Sequence, residues 1–420
     1  MDLNDTPELA EHRAKVRAWL AEHKHEAPVN EGASQVEDEH DIAARRAWQA
    51  RLTEGGLNGT TWPAEFGGQG LGPLHQVVTN QEIGAAGVPG ILDVIGVGML
   101  GPTLIVHGAE EQKERYLLPM LRGDEVWCQL FSEPAAGSDL AAVQTRAKRT
   151  ETGWVLNGQK VWTTNAQFSQ YGLLLARTDP DLPKHKGLTM FIVPMDAPGV
   201  TVRPLRQISG DAHFNEVFLD DVAIDEDATV GPIDGGWGVG MTTLMFERVT
   251  IGLGGEGFGW RADRFAGSLL AEPGAAEDPE VRHRFGELAA DFIALRFTGY
   301  RMLTTLQQGR IPGPEGGLAK VTTIKAAIEA GELLADTLGP EALSMEPGGW
   351  GKLIADLPGL KSAGGTEEIL RNMVGERVLG LPPEPRLDKG VAFKELRARE
   401  KRSIGEADRG GERSETGVAS

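Results

Sequence analysis

Few residues of this chain have types and spacing suited to chemistry. One group lies between Gln129 and Asn165. It contains Phe131-Ser132-Glu133-Pro134-Ala135-Ala136-Gly137-Ser138-Asp139 and Val161-Trp162-Thr163-Thr164-Asn165, with Trp154-Val155-Leu156-Asn157-Gly158-Gln159-Lys160 between them. The Pro-Ala-Ala-Gly-Ser-Asp run breaks regular structure and leaves backbone N–H groups and a hydroxyl free to meet an anion. On residue types alone it is either a phosphate-type site or a plain Gly/Ser turn. The second candidate is Glu247, the only acidic residue from Met241 to Gly255. An ionised carboxylate in an apolar helix is costly unless it is paired or functional. Arg248 is its sequence neighbour, but positions i and i+1 do not face each other on a helix. Glu247 therefore either pairs with some other basic residue or does chemistry.

Three blocks must position these groups. Residues 1–125 read as a helical domain. Thr6-Pro7-Glu8 is a helix start with an N-cap and Pro at the first position, and Leu9, Val16, Trp19 and Leu20 follow at helical spacing. Ala27 to Asp41 is polar and reads as loop; helix resumes from Ala43 to Leu52. The glycine-rich run Trp62 to Gly72 reads as a structural turn. Over 126–235 the period changes to two. Strands are expected near Trp154–Leu156, Gly172–Ala176, Leu188–Val193 and Phe214–Val222. Asn157-Gly158, between β-branched and aromatic residues, predicts a tight hairpin turn. Helices return over 236–384, with spans expected near 239–252, 282–308, 318–338 and 366–379. The charged tail, 385–420, is expected to fray.

Composition narrows the function. The 420 residues suffice for roughly two to three domains with a large core, and 40% hydrophobic with 25% charged residues is ordinary globular usage. A net charge of −19 disfavours nucleic acid and anionic membrane as partners. The single cysteine, Cys128, permits no internal disulfide and fits a reducing cytoplasm; a buried apolar role is its default. The acidic N-terminus lacks a secretory pattern. The apolar stretch from Val88 to Val106 is broken by Asp93, Pro89 and Pro102, so no membrane insertion is expected. His107 stands alone, and no metal site is expected.

Ser132 to Asp139, followed by Asn157-Gly158-Gln159-Lys160-Val161-Trp162-Thr163-Thr164-Asn165, resembles the flavin-binding core of the acyl-CoA dehydrogenases, and the resemblance runs from about Glu8 to about Pro383. It implies an α+β, mainly helical fold: an N-terminal helical domain, a central β-barrel-like domain and a C-terminal four-helix bundle. It implies FAD, with Gln129, Phe131 and Ser132 along the pyrimidine side, Gly137 and Ser138 at the pyrophosphate, Trp162 packed on the ring and Thr164 near N5. Arg282 and Phe285 of Arg282-His283-Arg284-Phe285-Gly286 would hold the FAD of a neighbouring subunit, which implies a homodimer or homotetramer. Thr366 and Glu368 would meet the adenosine half, as would a loop at Gly339 whose sequence departs from the family pattern.

The reaction implied is removal of an α proton by a carboxylate and of a β hydride by flavin N5 from an acyl-CoA, with an electron-transfer flavoprotein or similar acceptor downstream. The family's C-terminal Tyr-Glu-Gly-Thr is Ala363-Gly364-Gly365-Thr366 here, so the usual base is missing. Other branches carry the base on a helix directly before an arginine, the form of Glu247-Arg248. Gly364 still offers an N–H to the thioester oxygen, and the lost side chains leave room for a bulky or branched acyl group. Two other readings are an oxidase or dehydrogenase of carrier-bound acyl chains, and a non-catalytic partner subunit of a heterotetramer. A Rossmann flavoprotein is disfavoured, because no strand followed by G-x-G-x-x-G opens the chain and Gly252–Gly259 follows a helical run.

Overall fold

In the computed structural model, residues 5–29, 39–253, 262–308, 310, 313, 316–346, 349–400 and 402 are described. Most of the expected loop at Ala27–Asp41, most of the Gly252–Gly259 run and the end of the tail lie outside them. The first block comprises α1 (Pro7–His23), α2 (Glu39–Glu54), α3 (Pro73–Ala86), α4 (Gly101–His107) and α5 (Glu110–Arg122). Thr6 caps α1 as expected, its hydroxyl accepting from Leu9 N at 3.3 Å. Val16, Leu20, Trp48, Leu52 and Ile83 bury the apolar stripes of α1, α2 and α3 against one another. The π-helical turn Gly96–Leu100 leads into α4. His107 joins α4 to the third block by a 2.8 Å hydrogen bond between its Nε2 and the Thr242 hydroxyl.

The middle block is one mixed sheet. Its strands are β1 (Trp127–Leu130), β2 (Arg146–Arg149), β3 (Gly153–Thr164), β4 (Tyr171–Arg177), β5 (Leu188–Pro194), β6 (Val200–Leu205), β7 (Phe214–Asp225) and β8 (Thr229–Val230). The order is β6-β7-β3-β2-β4-β5-β8, and β1 runs parallel to β4. Alternation divides β4 and β5 between two cores. Leu173, Leu175, Met190 and Ile192 meet Leu100, Leu104 and Leu117 of the first block; Leu174, Ala176, Phe191 and Val193 meet Leu156, Val217 and Val222. Cys128 is fully buried, and burial pushes its thiol up to about 12, as its apolar role requires.

Two expectations are corrected here. Asn157-Gly158 makes no turn: β3 runs straight through it, with an irregularity between Leu156 and Gly158 opposite β7. Neighbours on both sides override the local signal. A Cβ at Gly158 would come within 2.3 Å of the Thr145 hydroxyl, so the glycine serves a close approach. Asn157 instead exchanges two hydrogen bonds with Asp221 on β7, at 2.9 and 3.1 Å. The tail also does not fray where expected: its first part docks on the sheet. Ala392 bridges to Pro183, Phe393 is 6% exposed, and the backbone is helical over 393–400.

The third block comprises α6 (Gly236–Leu253), α7 (Ala262–Ala271), α8 (Pro279–Gln307), α9 (Gly316–Leu338), α10 (Gly351–Asp356) and α11 (Glu367–Arg377). Helix α9 is its axis, and α6, α7, α8 and α11 all pack on it. Its side chains at 326, 327, 330, 333 and 334 repeat at helical spacing into a core with Phe265, Leu269, Leu288 and Trp350.

The sheet also holds a fully buried cation, Lys160. Its Nζ donates to Glu133 Oε1 and to the carbonyls of Phe131 and Leu175, each at 2.9 Å. Removing one partner of a buried pair strands the other charge, at a typical cost of about 3–5 kcal/mol. Lys160→Met should therefore lower the denaturant midpoint sharply, and adding Glu133→Gln should recover part of the loss; equilibrium unfolding checks both.

Candidate active site

The glycine-rich loop is closed by its own glutamate. Glu133 accepts from Gln144 N at 2.7 Å, from Thr145 N at 2.9 Å and from Lys160. Burial pushes its carboxyl up, but Lys160 and these donors outweigh burial and leave it below the ordinary value. The backbone doubles back through reciprocal Glu133–Ala136 bonds of 3.1 and 3.0 Å. Gly137 and Ser138 stand exposed beyond that turn, with open space beside the Gly137 Cα. Behind the loop Arg177, almost wholly buried, donates to the carbonyls of Ala141 (2.6 Å), Lys184 (3.0 Å) and Lys186 (2.9 Å). The Phe393 ring covers its guanidinium at 3.9 Å.

Beside this loop the end of β3 turns outward. Val161 N donates to Ser132 O at 2.9 Å, which ties the two motifs together. The ladder between β3 and β7 breaks between Lys160 and Thr163, and Trp162 sits at φ 60° with 59% of its surface exposed. A bulky side chain in the left-handed region is strained. An exposed indole held there by buried neighbours on either side, Val161 and Thr163, is a prepared flat surface. Phe214 meets it edge-on, with ring centres 5.9 Å apart. Thr164 is half-buried next to it. Indole face, open glycine and exposed serine hydroxyl suit a flavin ring that continues into phosphates.

Glu247, on α6, reaches the same region. It is half-buried, and its carboxylate hydrogen-bonds Gln129 of β1. Burial raises its pKa; Lys320, Gln129 and Arg248 oppose the rise without cancelling it. Arg248 is exposed. Lys320, in the first turns of α9, is lowered to about 8 by burial, against the pull of Glu247. Its ammonium donates to the carbonyls of Ala363 and Gly365, which flank Gly364. Gly364 and Gly365 sit at φ 61° and 89°, a left-handed pair that disfavours any larger residue. Thr366 follows as the N-cap of α11, its hydroxyl accepting from Ile369 N at 3.3 Å, and Glu368 is exposed in that first turn.

The other expected cofactor residues gather elsewhere. Arg282 is exposed on the first turn of α8, and Phe285 stacks on Phe265 at 6.0 Å. Arg284 pairs with Asp336 at 2.7 Å, so this turn lies beside the far end of α9, where Gly339 sits at φ 59° in open space. Lys320 and Gly339 are separated by most of α9, about 28 Å at 1.5 Å per residue. Glu247, Gln129, Lys320, Gly364 and Thr366 thus form one cluster, and Arg282, Phe285 and Gly339 another at the opposite end of the bundle. The sequence reading missed Lys320 and Arg177. Their partners lie 43 and 36 positions away for Ala363 and Ala141, and no local pattern marks either.

Comparison with known proteins gives the family. Residues 6–124, 128–222 and 234–379 match the models of the N-terminal, middle and C-terminal domains of acyl-CoA dehydrogenases. The chain belongs to the acyl-CoA dehydrogenase family, FAD-dependent oxidoreductases. Among its relatives, the acyl-CoA dehydrogenase IpdE1 of Mycobacterium tuberculosis is 39% identical over 90% of this chain and 99% of its own length. A steroid acyl-CoA dehydrogenase formed by Tcur3481 and Tcur3483 superposes with a TM-score of 0.79 at 31% identity, over 91% of this chain and all of that one. The ChsE4–ChsE5 complex of M. tuberculosis gives 0.74 at 28% identity, with the same coverage.

Trp162→Ala removes an exposed ring and little buried area, so the flavin-free chain should keep its stability to within about 1 kcal/mol. Flavin affinity should fall about 5- to 150-fold, since base or ring stacking on an aromatic contributes roughly 1–3 kcal/mol. Thermal unfolding and fluorescence titration with FAD measure the two effects.

Proposed function

We propose that this chain catalyses α,β-dehydrogenation of an acyl-CoA thioester, with Glu247 as the base that removes the α proton. The observation that carries this reading is the placement of Glu247: a half-buried carboxylate held by Gln129 beside the flavin cradle and facing Lys320 at the Gly364 loop. FAD, when bound by Trp162, Ser138 and their neighbours, supplies the hydride acceptor. Glu247 acts in its ionised form, and partial burial strengthens it as a base by denying it water. The N–H of Gly364 is the donor this reading assigns to the thioester oxygen, where negative charge builds up as the proton leaves.

A cleft of about 620 Å³ opens between the loop at Lys184 and His185, helix α6 at Trp237 and Met241, and the chain at Arg377 and Arg386. Its cations suit the phosphates of CoA, with Lys184 already paired to Asp139 and Asp388 and Arg386 to Glu376. Glu247 lies six residues beyond Met241 on α6, about 9 Å along the axis. A thioester entering from the cleft would therefore run along α6 toward the base. The small residues Ala363 and Gly364, at the site where the family often carries Tyr-Glu, support a bulky acyl group, and a steroid enzyme among the structural neighbours supports the same reading.

The placement of Arg282, Phe285 and Gly339 at the far end of the bundle supports a site completed by a neighbouring subunit. The relatives Tcur3481–Tcur3483 and ChsE4–ChsE5 are pairs of different chains, which favours a second reading in which this chain also works with a paralogue. Purification of the chain alone separates the two: bound yellow flavin supports a homomer, and a colourless protein supports the pair. An electron-transfer flavoprotein is the acceptor proposed for the reduced cofactor.

Glu247→Gln should retain flavin and lose at least about 100-fold in kcat with an artificial electron acceptor, the scale of a general base; normal turnover would sink the assignment. In the wild type kcat/KM should rise with pH through an inflection above the ordinary carboxyl value of 4.5, because the base works only when ionised and burial raises its pKa. Gly364→Ala, forced to φ 61°, should cost about 1–2 kcal/mol of stability. It should also depress turnover of ring-bearing acyl-CoAs more than that of short straight chains; a substrate panel reads this directly.

A further inference from the structure

The Gly364 loop is not self-ordering. Two consecutive glycines have the largest backbone freedom to lose; the chain before them is anchored by Ser362 N and Ala363 N on Gly359 O at 3.0 and 3.1 Å and the chain after them by the Thr366 cap. What grips the loop is the Lys320 ammonium, bonded to the carbonyls on either side of Gly364. A trans peptide is planar, so the Gly364 N–H points opposite to the Ala363 carbonyl that Lys320 holds. The direction of that N–H is therefore set by a side chain on another helix. The same ammonium faces Glu247 across the packing of α6 on α9. The charged groups acting on Glu247 are Lys320 from α9 and Arg248 from its own helix, while Gln129 bonds it from β1.

We propose that Lys320 is the positioning residue of the reaction: one cation that fixes the Gly364 N–H through the carbonyls of Ala363 and Gly365 and faces the Glu247 carboxylate from α9. This rests on the reading of Glu247 as the base. Lys320 touches neither reacting carbon; it sets the two groups that do the work and couples them. It also gives the branch without the C-terminal glutamate a way to keep base and oxyanion donor in register although they sit on different elements.

The test needs no turnover. The infrared carboxyl band that Glu247→Gln deletes is titrated in wild type, Lys320→Gln and Lys320→Arg. Lys320→Gln keeps a hydrogen-bond donor and drops the charge, so the Glu247 midpoint should rise by about one pH unit, a tenfold change in ionisation. Lys320→Arg keeps the charge and should restore the wild-type midpoint. An unmoved midpoint in Lys320→Gln, or no restoration by arginine, overturns the proposal. A second measurement uses wild type alone and so does not depend on variants folding. The amide resonance of Gly364, which belongs to the peptide whose carbonyl Lys320 binds, should shift as Lys320 loses its proton near pH 8, because charge-assisted bonds are roughly twice as strong as neutral ones; an unchanged resonance through that range overturns the clamp. If Glu247→Gln keeps normal turnover while the midpoint still responds to Lys320, the base assignment has failed and the contact has not.

Discussion

The buried pair of Glu133 and Lys160 is the constraint on which the cradle depends. Each residue belongs to a different motif, 27 positions apart, and each is buried. A charge so placed is tolerable only if every donor and acceptor is used. Lys160 spends its three protons on a carboxylate and two carbonyls; Glu133 gathers two backbone amides besides. The motifs can therefore meet in one register only. In that register Ser132 accepts from Val161 N, and Trp162, next along, is forced out into the open at positive φ. The strain at Trp162 is sustained by the electrostatic closure one turn of chain away.

How legible this was from sequence depended on how far each constraint reaches. The three-block layout and most helix spans lie in contiguous residues, and both could be read. The Asn157-Gly158 turn was misread because the signal is local and the answer is not: β2 and β7 flank the pair and use its smallness and its amide instead. Glu247 stood out as a lone acid in an apolar run, which is a composition argument. Its counterpart Lys320 is an unremarkable lysine at the start of an amphipathic helix, and only the packing of α9 on α6 and α11 gives it meaning. Glu133 and Lys160 were visible as motif letters, but their burial and mutual contact were not.

Helix α9 gives the third block its length scale. Its two ends lie beside different groups of candidate residues: Lys320 and Gly364 at one, the Arg284–Asp336 pair and Gly339 at the other. A rigid helix of 23 residues keeps them apart by a fixed interval. That separation, rather than any single contact, keeps the two groups of candidate residues from converging within the chain. It also explains why changes in the core of α9, at Ala327, Ala330 or Leu334, would reach both ends at once.

The docked tail has a consequence for how the protein is made. Arg177 organises the carbonyls behind the phosphate loop, yet the ring that covers it, Phe393, is 216 positions later. Chains grow at about 5–20 residues per second, so the arginine emerges on the order of 10–40 s before its cover. During that interval the sheet can form while the loops at Ala141 and Lys184 stay open to solvent on that side. The loop behind Ser138 is thus finished last, by a segment outside the sheet, and only when nearly the whole helical third block has already left the ribosome.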